Sequence, residues 1–64
     1  MHEYYMLTES LQLLECLKFI NQYELTHSIH LNRIRFLVDT GSQLETIMLL
    51  QFGQEVHQVR TLFD

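Results

Sequence analysis

From Ser28 to Phe63 the chain changes hydrophobic period three times, and a turn or cap residue stands at each change. Ile29 and Leu31, then Ile34, Phe36 and Val38, recur at every second position, the period of a strand with one buried face. Gly41 and Ser42 then open a run with helical spacing, and Gly53 closes it. A second strand-like run, Glu55 to Phe63, follows. This punctuation confines the second half of the chain to two strands, a helix and a strand.

The first half completes the pattern. Glu3 to Leu7 (EYYML) is short and aromatic, as strands are. Thr8 is the expected N-cap of a first helix, with Glu9 in its first turn. On that helix Leu13, Cys16, Leu17 and Ile20 form one apolar stripe flanked by Leu14, and Leu11 and Phe19 fall outside it. Glu24–Leu31 and Arg33–Asp39 are predicted to form a hairpin turning on Asn32 and Arg33. Leu31 would then pair with Ile34, and Ile29 with Phe36. Ser42 and Glu45 fit a capping box, and Gly53 a left-handed C-cap.

The predicted order is β-α-β-β-α-β, a small ferredoxin-like α+β sandwich in a single domain spanning 1–64. The alternative is an all-α three-helix domain with a helix-turn-helix turn at Thr40–Ser42. The β-branched and aromatic content of Ile34–Val38 favours the sandwich. Its expected core is Leu13, Leu17, Ile20, Ile29, Ile34, Phe36, Val38, Leu44, Ile47 and Met48.

Composition narrows the function classes. Eight carboxylates oppose four Lys and Arg, a formal charge of −4. Nucleic-acid affinity comes largely from cations neutralising phosphates, and so few supply little of it, so direct nucleic-acid binding is not expected. The helix-turn-helix alternative would have SQLETIMLLQ as its recognition helix, which carries no Lys or Arg for phosphate or guanine. A lone Cys16 excludes an internal disulfide and fits a reducing compartment. With no membrane-span-length apolar run and no signal-like N-terminus, a cytoplasmic location is expected.

The stretch Leu37-Val38-Asp39-Thr40-Gly41-Ser42 resembles the active-site signature of retroviral-type aspartic proteases, including the apolar strand before the triplet. That resemblance, covering about a dozen residues from Ile34 to Ile47, implies that Asp39 is half of a proton-sharing dyad activating water. The rest of the chain departs from it: a Ser-x-x-Glu helix start follows at once, and too little chain remains for a flap and a second barrel half. Asp39 is therefore expected to be structural, its carboxylate accepting bonds where the second helix begins.

His27 and His30 point to opposite faces of a strand, so with Cys16 and His57 they make no metal set. Cys16, inside an apolar stripe, reads as a buried structural thiol. Tyr4, Tyr5, Arg33 and Arg35 raise the question of RNA on an open sheet, but Arg33–Asp39 lacks the aromatic signature of an RNA-recognition motif. No catalytic residue, cofactor or metal is expected.

What remains is surface. The second helix is apolar nearly all round, with Leu44, Ile47 and Met48 facing the core, Leu50 and Phe52 on the flanks and Leu49 nearly opposite. The last strand is an edge with few charges to blunt it. These features predict a homodimer or obligate complex, with Leu49, Val56, Val59 and Phe63 near the contact. Glu3, Glu9, Glu15 and Glu24 predict an acidic face for a basic protein partner. The expected function is a non-catalytic protein-binding module: a regulator or inhibitor of phage or mobile-element type, acting on a host protein or nucleic-acid-handling complex. The alternatives are a helix-turn-helix regulator and a small-molecule regulatory domain.

Overall fold

The computed structural model describes residues 1–61. Its elements run β1 (His2–Leu7), α1 (Leu13–Gln22), β2 (His27–His30), β3 (Arg33–Val38), α2 (Gln43–Phe52) and β4 (Val56–Thr61). The strands form one antiparallel sheet in the order β2-β3-β1-β4. This is the ferredoxin-like arrangement, and the all-α alternative is set aside.

The core follows from strand alternation. Tyr4 and Met6 of β1 and Ile34, Phe36 and Val38 of β3 all point to one face. Cys16, Phe19 and Ile20 of α1 and Met48 and Phe52 of α2 close over that face, and Val56 joins from β4. Leu13, Leu17 and Leu44 pack at its margin. Among the described residues no helix is long and apolar enough to cross a membrane.

Two expected core residues lie outside. The hairpin turns on Leu31 and Asn32, so Ile29 stands opposite Ile34 and His27 opposite Phe36. The two-residue slip keeps Ile29 on the helix side of the sheet, but β2 is an edge strand exposed along its whole length, and Ile29 is 64% exposed. Leu31 takes the turn's left-handed position (φ 55), and Thr8 N–H donates to the Asn32 carbonyl at 2.8 Å. Ile47 is the second correction. The buried side of α2 is Glu45, Met48 and Phe52, which rotates Ile47 toward solvent and leaves Leu50, not Leu49, most exposed.

The caps also differ from expectation. With Thr8 N–H bonded to Asn32, α1 starts later, at Leu13 after Gln12, and Ser10 Oγ accepts from Gln12 N–H. Phe19 is buried, packed edge-on to Phe52 at 5.8 Å, because α1 faces α2 as well as the sheet. Of the expected strand Glu24–Leu31 only His27–His30 is strand, and the first residues of that segment close α1 instead. Leu25 N–H bonds to Ile20 O and Glu24 N–H to Asn21 O, the Schellman pattern, with Glu24 itself at φ 52. Gly53 is right-handed (φ −56) rather than left-handed, and a Cβ there would overlap the Leu49 carbonyl oxygen. The left-handed glycine is Gly41 (φ 72), at the third position of the Asp39–Ser42 turn.

Candidate functional site

The helices cover one face of the sheet and leave the other bare. On β1 the bare face carries Glu3, Tyr5 and Leu7; on β3 it carries Arg33, Arg35 and Leu37. β4 contributes His57, opposite Tyr5, and Arg60, opposite Glu3. Arg60 arrives there through a bulge. The register shifts between Glu3 and Tyr4, so Val59 falls out of step and the residue after it changes face. Three of the four basic side chains of the chain, Arg33, Arg35 and Arg60, therefore share this face.

These cations are held differently. The Arg33 guanidinium lies 4.3 Å from the centroid of the Tyr5 ring, and His57 stacks on Tyr5 at 4.9 Å and 28°. Arg33, from β3, and His57, from β4, thus both engage the ring from the strands that flank β1, and the Arg33 guanidinium has no hydrogen-bond partner among the described residues. Arg60 Nε donates to Glu3 Oε1 at 2.7 Å; Glu3 is buried while Arg60 remains largely exposed. Arg35 has no hydrogen-bond or ion-pair partner among the described residues, although its Nε is shielded from solvent. Glu3, Ser28, Arg35, Leu37 and Arg60 line a cleft of about 220 Å³ on this face.

On the helical side, a larger concavity of about 490 Å³ lies between α1 and α2, floored by Phe19 and Phe52 and rimmed by Gln12, Gln51 and Ile47. Among the described residues its one charged pair is Glu15–Lys18 at 3.4 Å, both exposed, a contact worth little. Beside it Leu11 and Leu50 stand in solvent.

A buried carboxylate joins sheet to helix. Glu45 Oε2 accepts from Tyr4 Oη at 2.7 Å and bonds His2 Nδ1, while Oε1 accepts from Gly41 N–H at 2.9 Å. Burial alone would push this carboxyl up, but the bonds from Tyr4, Gly41 and His2 outweigh it and hold it below its usual range. Burial, with the Glu45 bond and charge, pushes Tyr4 up to about 12. Ser42 Oγ accepts from Glu45 N–H as a capping box requires, but the Glu45 side chain caps Gly41 rather than Ser42. Glu45 takes the place expected of the Asp39 carboxylate. Asp39 is exposed, and its carbonyl oxygen accepts from Ser42 N–H and Oγ.

The sequence-predicted contact residues are dispersed. Glu3 sits on the bare sheet face, opposite the side that carries Glu15 on α1; Glu9 lies in the β1–α1 turn and Glu24 at the end of α1. Leu49 is half-exposed, Val56 is in the core and Val59 is at the bulge. Phe63 lies outside the described residues. Cys16 is fully buried, and burial pushes its thiol up to about 11, away from nucleophile chemistry. Among the described residues no three His, Cys, Asp or Glu side chains are grouped to hold a metal.

No family model, curated protein or solved structure matches the chain.

Proposed function

We propose that this protein is a non-catalytic binding module that docks an acidic segment of a protein partner on the bare face of its sheet. One observation carries the reading: Arg33, Arg35 and Arg60 all lie on the one sheet face the helices leave uncovered, and two of them have no carboxylate partner among the described residues. The rest of the surface is acidic or neutral, so an anionic partner is oriented toward this face. Glu3 belongs to the same face but is neutralised by Arg60, so this reading takes a cationic contact face in place of the acidic one that the sequence suggested.

A protein segment fits better than nucleic acid. Two unpaired guanidinium groups neutralise few phosphates, and the chain's net charge of −4 opposes a polyanion at long range. Tyr5, at the centre of this face, is already engaged by Arg33 and His57, which compete with a stacking base. A role as a regulator or inhibitor then follows from occupancy of the partner's surface.

The test is capture of partners on the wild-type chain and on Arg33→Glu/Arg35→Glu, followed by pairwise reconstitution with each purified partner. Binding that is lost on charge reversal, weakens with salt and resists competition by single-stranded oligonucleotides supports the reading. Pairwise binding that ignores the charge reversal, or that oligonucleotides displace, overturns it.

A further inference from the structure

We infer that the cleft between Arg35 and Arg60 is a carboxylate site, receiving one Asp or Glu side chain of the partner; this rests on the sheet face being the docking surface. The cleft's walls hold two guanidinium groups, one carboxylate, Glu3, and the His27 imidazole, so with histidine counted neutral its formal charge is +1. Glu3 is already engaged by Arg60 Nε at 2.7 Å, which, among the described residues, leaves the terminal nitrogens of Arg60 and the charge of Arg35 without a carboxylate. Ser28, opposite Arg35 in the β2–β3 register, adds a hydroxyl to the same wall.

One monoanion completes this set. Buried charges are tolerated when each has a partner, and an incoming carboxylate gives Arg35 the partner it lacks. A phosphate dianion would instead leave an excess negative charge beside Glu3, which is only 7% exposed and poorly screened. Size points the same way. At about 220 Å³ the cleft is smaller than the pockets that enclose nucleotides or drug-sized ligands, and Leu37 offers an apolar wall for side-chain methylenes. Arg33 extends the cationic surface along β3 beyond the cleft, so the partner chain runs on past it. A side-chain carboxylate meets that geometry, whereas a chain end would not.

The experiment is an NMR titration of the full chain with three probes at matched ionic strength and pH 8, where phosphate is mainly the dianion: N-acetylglutamate α-amide, N-acetylalanine and inorganic phosphate. With the side-chain probe, the Ser28 and Leu37 amides and the Arg35 Nε–H are expected to shift and saturate, and the two other probes to bind more weakly. Arg35→Gln should weaken the side-chain probe about tenfold, the loss of one charge-assisted bond. Glu3→Gln raises the cleft's charge and should admit phosphate, an effect that a merely structural Glu3 would not produce. Val38 and Met48 resonances check that each variant is folded.

Absence of saturable shifts at Ser28 and Leu37, phosphate or N-acetylalanine binding as tightly as the side-chain probe, or indifference to Arg35→Gln in a folded variant overturns the assignment. Should the probes fail while partner binding stays sensitive to Arg33→Glu/Arg35→Glu, the cleft is refuted and the sheet-face reading stands. Should the probes bind as expected while partner binding ignores charge reversal, the sheet-face reading is refuted, and with it the partner's side chain as occupant, although the cleft still takes a carboxylate.

Discussion

The Tyr4 hydroxyl donates to Glu45 Oε2 at 2.7 Å, joining the central strand β1 to the first turn of α2 across a sequence separation of 41 residues. The same carboxylate caps Gly41 N–H and bonds His2, so one side chain ties together β1, the β3–α2 turn and the start of α2. It is a buried polar junction with every element satisfied, the condition under which such groups stabilise and specify a fold.

Glu45→Ala should therefore cost about 2–3 kcal/mol, because it strands the buried Tyr4 hydroxyl and the Gly41 N–H together. Tyr4→Phe should cost about 1 kcal/mol, since both it and the carboxylate's other bonds can relax. The pH dependence has a fixed sign. The Glu45 carboxyl lies lower in the folded chain than in the unfolded one, so its contribution is fully present above the ordinary carboxylate value and is lost as pH falls through the lowered folded one. Urea midpoints measured from neutral to acid pH should fall more steeply below the ordinary carboxylate range for wild type than for Glu45→Gln. Parallel curves would contradict this.

Glu24 closes α1 in the left-handed conformation that glycine adopts without penalty. Glu24→Gly should stabilise the chain by about 0.5–1 kcal/mol in thermal or urea unfolding, a gain that depends on backbone geometry and not on charge. Glu24→Gln, which removes charge alone, is the control and should be close to neutral. Equal effects of the two variants would show that electrostatics, not the left-handed backbone, governs this position.

These junctions mark the limit of what was legible in the sequence. The period-two run Ile34–Val38 and the Ser42 cap revealed β3 and α2, because periodicity and capping are local. Glu45 carried a local signature too, a capping-box acid, and nothing within a few residues of it reveals that it is buried against Tyr4 and His2. The hairpin register lies two residues from the expected one: the Asn32 carbonyl is held by Thr8 N–H at the end of β1, a contact that no local turn preference carries. The cationic face was half legible: Arg33 and Arg35 alternate on one strand. Arg60 was not, since strict alternation from Val56 would turn it inward, and only the bulge at Val59 brings it out beside Glu3.

The register has a direct test in two apolar residues that the hairpin places very differently. Phe36 is 1% exposed and stacked near Tyr4, so Phe36→Ala should cost about 3–5 kcal/mol, much of the reserve of so small a domain. Ile29, on the edge strand opposite Ile34, should tolerate Ala within about 0.5 kcal/mol. A large loss at Ile29 would mean that β2 is covered in solution.

Gly53 separates two effects of glycine. Its backbone is right-handed, so Gly53→Ala would ordinarily stabilise by restricting the unfolded chain. A Cβ there meets the Leu49 carbonyl oxygen, a backbone atom that cannot rotate away. The variant should lose about 1–3 kcal/mol, with the last turn of α2 losing amide-exchange protection first. A neutral or stabilised variant would show that this turn yields freely.

The stack of Arg33 on Tyr5 bears on function rather than stability. The ring holds the guanidinium in place at 4.3 Å, and that guanidinium has no hydrogen-bond partner among the described residues, so less side-chain entropy is lost when a carboxylate of the proposed partner arrives. Tyr5→Leu keeps an apolar side chain on the open face and should leave the melting temperature within a few degrees of wild type. It should weaken binding of the proposed acidic partner about two- to fivefold, the equivalent of one exposed cation–π contact. Arg33→Lys keeps the charge but not the planar fork, and should lose a similar factor. Arg33→Gln, which removes the charge, should lose more than either. Were Tyr5→Leu to bind like wild type while Arg33→Gln fails, Arg33 would act as a point charge, and the ring would have no part in orienting it.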